Sequence, residues 1–143
     1  MSRPAHGNCT VHWCDEVCLV VVKGSFNREG VSAMQTAIRS SWQDAGAPAR
    51  WAHVMDLRQW EGGTPDSFAT ARELALWTVT HGAVAVLRIH AGSFLGRVTD
   101  RQGVLDDLGV PVIDCSSVGE AWLWLDQHGL ACAACRGLIG ESS

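Results

Sequence analysis

The stretch at residues 50–68, RWAHVMDLRQWEGGTPDSF, decides the fold, because it reads as a buried strand, a sharp glycine loop and a capped helix in direct succession. Residues 51–57 form an apolar run of strand length, and Gly62-Gly63 allow an abrupt turn. Thr64-Pro65-Asp66 then opens a helix: a hydroxyl able to accept from exposed amides, a proline at the first helical position, and an acid in the first turn. Open α/β sheets present their working surface at such a junction, outside the carboxyl ends of the strands. The polar groups gathered there, Asp56, Arg58, Glu61, Thr64, Asp66 and Ser67, suit a docking or switching surface better than a catalytic constellation.

Working outward toward the amino terminus, residues 8–13 alternate weakly, Asp15 and Glu16 form a turn, and residues 17–23 are a β-branched run; together they predict an antiparallel hairpin. From Arg28 the apolar positions Val31, Met34, Ile38 and Trp42 recur as one helix face, which Gly46 and Pro48 terminate. Toward the carboxyl terminus, the helix opened by Thr64 runs to about His81 and stops at Gly82, with Phe68, Ala71, Ala75 and Thr78 or Val79 as its inward stripe. Residues 83–89 are a continuous apolar strand, residues 93–108 a helix, 110–113 a short strand and 117–128 the last helix. On that helix Val118, Ala121, Trp122 and Leu125 form the inward stripe. The alternation implies an α/β domain with a mixed, mostly parallel β-sheet, an N-terminal hairpin and about four helices, spanning residues 1–129, with 130–143 a loosely attached tail.

Size and composition narrow the function classes. With 143 residues, 47% of them hydrophobic, the chain has enough material for one core. Its 11 basic residues are scattered singly against 15 acidic ones, which argues against a nucleic-acid footprint. The longest strongly apolar run, residues 17–22, is far short of the roughly twenty residues of a membrane span, and residues 1–13 lack the apolar segment of an export signal. A cytoplasmic protein with reduced thiols is the expectation.

The residues that resemble chemical motifs each have a plainer reading. Asp56 stands where a phosphoacceptor aspartate would, but the strand ends KGSF, RIHAG and IDCSS lack the acidic cluster and far lysine of a receiver site, so a structural aspartate fits better. Gly62-Gly63 before a helix start offers amides to an anion but has neither dinucleotide-loop nor P-loop spacing. Cys132 and Cys135 have the spacing of a redox pair, yet they follow the last helix instead of opening one, and no second ligand pair for zinc is evident. The six histidines are dispersed, and none belongs to a nucleophile motif. No cofactor or metal is expected. Among seven tryptophans, Trp77 and Trp124 fall off the inward stripes and, with Trp60, mark a partner or homodimer surface unless a broad helix face buries them.

The element order, the junction WAHVMDLRQWEGGTPDSF and the closing run VPVIDCSSVGEAWLWL resemble the SpoIIAA-like, or STAS-like, family of small bacterial domains, over about residues 17–125. In the anti-sigma-factor-antagonist members a serine at the start of the helix after the third strand is phosphorylated, and the phosphate blocks docking. The matching neighbourhood here is Gly63, Thr64 and Ser67, where Glu-Gly-Gly-Thr-Pro replaces the usual Asp-Ser-Ser-Gly. The resemblance implies a non-enzymatic regulatory module that docks a protein partner through Asp56, Arg58, Trp60, Gly62, Gly63, Thr64 and Ser67. The alternative is a domain that binds a small ligand: an anion at the glycine pair, a nucleotide, or an acyl chain between a helix and the sheet. Which of the two applies depends on whether residues 56–67 line a cavity or a flat patch.

Overall fold

In the structure, a computed structural model, residues 4–91 and 108–130 are described. The strands β1 (Asn8–Cys14), β2 (Val17–Phe26), β3 (Trp51–Gly63), β4 (Ala83–Ile89) and β5 (Val112–Cys115) form one sheet in that order. The first pair is antiparallel, turning at Asp15 and Glu16, and the other three pairs are parallel. Three helices are described: α1 (Arg28–Asp44), α2 (Pro65–Thr80) and α3 (Val118–Gln127). This is the mixed α/β architecture expected from the alternation of periods. The helix expected at 93–108 and the tail at 131–143 lie outside the described residues, although Leu130, assigned to the tail, is buried against the core.

Parallel strands covered on both faces read as unbroken apolar runs, and residues 17–22 and 83–87 are such runs. Alternate side chains divide the core in two. Val17, Leu19, Ala52, Val54, Ala85 and Leu87 point toward α3, whose buried stripe is Val118, Ala121, Trp122 and Leu125. Cys18, Val20, Val22, Trp51 and Leu57 point the other way, toward α1 and α2. Crossover connections through α1 and α2 place both helices on this second face, as the right-handed rule for parallel strands requires.

The helix starts differ in how they are satisfied. Asn27 caps α1 by accepting from Gly30 N at 2.8 Å, and the same carboxamide ties down residues 4–6 through the His6 amide and the Pro4 carbonyl. Ser117 caps α3 by accepting from Glu120 N, while the Glu120 carboxylate reaches back to Ser116 N. Thr64, expected to cap α2, makes no side-chain cap bond; its hydroxyl donates to the Asp66 carboxylate. The buried stripe of α2 is also displaced from the expected one: Ser67, Thr70, Leu74, Ala75 and Thr78 are buried, while Phe68 and Ala71 stay half-exposed.

β3 carries the largest correction. It continues for thirteen residues through Gly63, so that the expected glycine loop is the end of a strand. Its backbone pairs with β2 through Val21↔Asp56, Lys23↔Gln59, Gly24↔Trp60 and Phe26↔Gly63. Three residues of β3 thus oppose two of β2 on two occasions, each an inserted residue that bends the strand and re-aims the side chains beyond it. β5 begins two residues later than expected, because Pro111 has no amide to give and contributes only its carbonyl, to Val86 N at 3.0 Å.

Gly82, with φ +102, turns the chain from α2 into β4, and a Cβ there would lie 2.5 Å from the Ala49 carbonyl oxygen. Gly46 has a similar φ of +91 but open space around it. Gly46→Ala is therefore expected to cost about 1 kcal/mol of left-handed strain, and Gly82→Ala at least ~2 kcal/mol because the Ala49 backbone has to move as well. Urea unfolding of the two variants checks this, and equal midpoints would contradict it.

Candidate functional site

The face of the sheet beneath α1 and α2 holds a cavity of about 100 Å³. Met55, Leu57, Leu74, Val22 and Met34 make up much of its wall, and the lining is almost wholly apolar. The half-exposed lining residues Met55, Trp60, Phe68 and Ala71 mark its contact with solvent. The volume is of the order of the ~150 Å³ apolar cavity that stays dry and takes benzene or xenon.

The first inserted residue of β3 creates one wall. In regular alternation Met55, Leu57 and Gln59 would face the helices and Trp60 would face away. With three residues of β3 spanning Asp56 to Gln59 against two of β2, Trp60 joins Leu57 on the helix side. There its ring meets Phe68 of α2 edge-on, with centroids 6.5 Å apart. Of residues 56–68, Leu57, Trp60, Ser67 and Phe68 line the cavity, whereas Asp56, Arg58, Gly62, Gly63 and Thr64 do not.

His53 forms part of the floor. It lies between Cys18 of β2 and Val86 of β4 in the register, is 3% exposed, and its Nε2 has no hydrogen-bond partner among the described residues. The Trp51 ring sits 5.9 Å away at 54°. Burial pushes the imidazole pKa down to about 4, so the ring is neutral at physiological pH. The other polar side chains on the wall are engaged: Ser67 Oγ donates to Thr64 O at 2.6 Å and Thr78 Oγ1 to Ala75 O at 2.7 Å. Arg88, buried at 4% exposure, forms an ion pair with Asp114 on the adjacent strand, Nε to Oδ1 at 2.7 Å. Burial opposes charge on Asp114, but hydrogen bonds from Arg88 and from His90 Nε2 outweigh it and hold the carboxyl below its usual range.

The residues singled out in sequence fall into separate environments. Asp56 is 2% exposed, on the α3 face, and accepts from Arg58 Nε and Nη2 at 2.9 and 3.0 Å. This bidentate pair raises the Arg58 pKa through its hydrogen bond and makes Asp56 a buried structural acid instead of a surface group. Ser67 is 3% exposed, and a Cβ on Gly63 would collide with the Ser67 hydroxyl unless that hydroxyl turned away from Thr64 O. Gly62 is extended toward open space with φ +102. Thr64 is exposed, but a phosphate placed on it would meet the Asp66 carboxylate to which its hydroxyl now donates. The same carboxylate disfavours an anion at this helix start.

Trp77 stacks on His81 at 4.3 Å, meets Trp42 edge-on at 5.7 Å and lies 5.4 Å from the Arg39 guanidinium. Trp124 stacks on His128 at 3.8 Å. Both are half-buried with a ring of their own chain on one face. Cys9, Cys18 and Cys115 are unbridged; burial raises the Cys18 thiol pKa strongly and, with Glu120 and Asp114 nearby, pushes Cys115 up to about 12, so neither Cys18 nor Cys115 is a ready thiolate. Cys132 and Cys135 lie outside the described residues. Among the described residues no three His, Cys, Asp or Glu side chains are grouped as metal ligands, and no helix is long and apolar enough to cross a membrane. The sequence pattern gave His53 no distinction from the other histidines; an imidazole inside the otherwise apolar segment 51–55 was the available signal.

The neutral state of His53 has a consequence for stability. The unfolded chain takes up a proton near pH 6.5, whereas the folded chain resists doing so until about 4, so stability present above pH 6.5 is lost as the pH falls toward 4. The loss attributable to this residue is up to about 3 kcal/mol. Urea midpoints measured between pH 7 and 4.5 are expected to fall more steeply for the native protein than for His53→Leu; parallel slopes would contradict the assignment.

No known sequence family matches the chain, and no curated protein matches it. Among solved structures it is similar to an uncharacterised protein of the DUF3478 family with a SpoIIAA-like fold from Shewanella loihica PV-4. The two share 14% identity and a TM-score of 0.63 over 87% of this chain and 98% of the other. At that identity the likeness speaks to architecture alone, and with the strand order and helix placement described above it establishes that the chain has a SpoIIAA-like fold.

Proposed function

We propose that this protein is a binding module for a small apolar molecule, held in the cavity between β3 and the helices α1 and α2. The observation that carries this reading is the cavity itself, about 100 Å³ with an apolar wall in contact with solvent. Interiors normally close such spaces to crystal-like density, and keeping one open forfeits stability that evolution readily recovers by substituting a larger side chain. Ala71 and Ala75 are positions on the wall where a larger residue would fill the space. Sites for small molecules are typically concave, apolar and furnished with a few placed polar groups, and His53, Ser67, Thr78 and Arg88 are such groups here.

The regulatory, protein-docking reading draws its support from the fold. Its proposed surface is less favourable in detail, since Asp56 and Ser67 are buried and Thr64 is committed to Asp66. Ligand binding under α2 and docking on its outer face are also compatible, because filling the cavity would rigidify the β3–α2 junction.

Toluene at saturation is expected to raise the melting temperature of the native protein by about 2–5 °C, and Ala71→Phe, which fills the cavity, is expected to remove that response. A melting temperature unmoved by toluene in the native protein would contradict the proposal.

A further inference from the structure

We infer that Trp60 is the gate of this cavity: its ring, closed against Phe68, controls which apolar molecules enter, and it swings aside to admit a hydrocarbon ring larger than the closed space. The inference rests on the ligand-binding reading above and adds the residue that governs entry and size.

The closed space is smaller than the molecules its wall suits. At about 100 Å³ it falls short of the ~150 Å³ cavity that takes benzene, so part of the wall has to yield before an aromatic ring is seated. The parts that meet solvent are Met55, Trp60, Phe68 and Ala71. Met55 sits in regular pairing with Val20 on one side and Arg88 on the other, which fixes its backbone. Ala71 is too small to close an opening, and Phe68 is carried by α2. Trp60 is the remaining candidate.

Four features leave the Trp60 ring free to move. β4 ends at Ile89, opposite Asp56, so among the described strands only β2 pairs with β3 beyond that point. Within this overhang, the paired positions Gln59 and Trp60 lie between the two inserted residues, each of which interrupts the ladder. The partner of Trp60 across the ladder is Gly24, which has no side chain to pack on the indole, and a Cβ placed there would meet nothing within 4 Å. The indoles of Trp13, Trp42 and Trp51 are pinned by donation to Ser41 Oγ, Pro48 O and His81 O, whereas that of Trp60 makes no hydrogen bond among the described residues.

The edge-on contact with Phe68, 6.5 Å between centroids, holds the ring closed. A single aromatic pair is weak enough to break and remake on binding. Both rings line the cavity and both are half-exposed, so parting them enlarges the space and joins it to solvent in one movement.

The native chain labelled with 5-fluorotryptophan and titrated with toluene and with the larger naphthalene tests this by ¹⁹F NMR, the Trp60 resonance being assigned from Trp60→Phe. Both probes are expected to bind and to move the Trp60 resonance while that of Trp122, on the opposite face of the sheet, stays in place; naphthalene is expected to exchange more slowly than toluene. In Trp60→Ala, toluene exchange is expected to quicken roughly tenfold, the factor one aromatic pair accounts for, and the difference between the probes to vanish. The native resonances do not depend on how that variant folds. Toluene binding with an unmoved Trp60 resonance, exclusion of naphthalene, or equal exchange of the two probes in the native protein would overturn the gate and leave the cavity reading standing. A native protein that binds neither probe would overturn both.

Discussion

The arrangement depends on one backbone constraint, the extra residue that β3 carries opposite β2 between Asp56 and Gln59. Up to Asp56 the strand alternates regularly, with Trp51, His53 and Met55 beneath α1 and α2 and Ala52, Val54 and Asp56 beneath α3. The inserted residue reverses that alternation without interrupting the pairing, so that Trp60 follows Leu57 onto the helix side. The strand then runs on to Gly63, where the missing side chain lets the Ser67 hydroxyl approach and α2 begin. α2 is thereby started at a position from which Phe68 and Ala71 stand over the sheet without filling the space between. The cavity is the geometric remainder of the first of the two residues that β3 inserts opposite β2.

The two faces of the sheet show what this does to packing. Beneath α3, aliphatic side chains from β2, β3 and β4, with Cys115 of β5, meet Trp122 and Leu125 with essentially no exposure, and the buried acid Asp56 is matched by the bidentate guanidinium of Arg58. Beneath α1 and α2 the core is closed around Trp51 and Ile38, where the Trp51 indole donates to the His81 carbonyl at 2.7 Å and the Trp13 ring is 5.0 Å away. It opens progressively toward Met55 and Trp60. The sealed half supplies rigidity and the open half supplies room, a division suited to a site built on a fixed scaffold.

What the sequence made legible follows from where side chains carry the information. Apolar runs at 17–22 and 83–89, the helix face Val31, Met34, Ile38, and the stripe ending at Leu125 all depend on burial, and burial leaves a periodic trace. Residues 58–63, Arg-Gln-Trp-Glu-Gly-Gly, join the sheet through backbone pairing with Lys23, Gly24 and Phe26, which is indifferent to side-chain type, so their polar and glycine-rich composition read as a loop. The inserted residue was invisible for the same reason, and with it the direction of Trp60. Thr64 looked like a cap because its chemistry permits one, but the nearby Asp66 offers its hydroxyl a charged acceptor and wins. Asp56 looked like a loop acid because the strand was read as ending beside it; the Asp-x-Arg spacing, which puts both groups on one face of a strand, was the overlooked sign. That His53 Nε2 lacks a partner is a property of three strands and two helices together, and no local pattern encodes it.

The account's central claim is that the space beneath α2 is a dry, accessible receptacle for apolar matter. Crystals of the protein pressurised with xenon test it most directly, since xenon enters such cavities and scatters anomalously. The account predicts an anomalous peak in contact with Met55, Leu74 and Phe68. A cavity that excludes xenon, whether collapsed by closure of α2 onto β3 or filled by ordered waters bonded to His53, would contradict it.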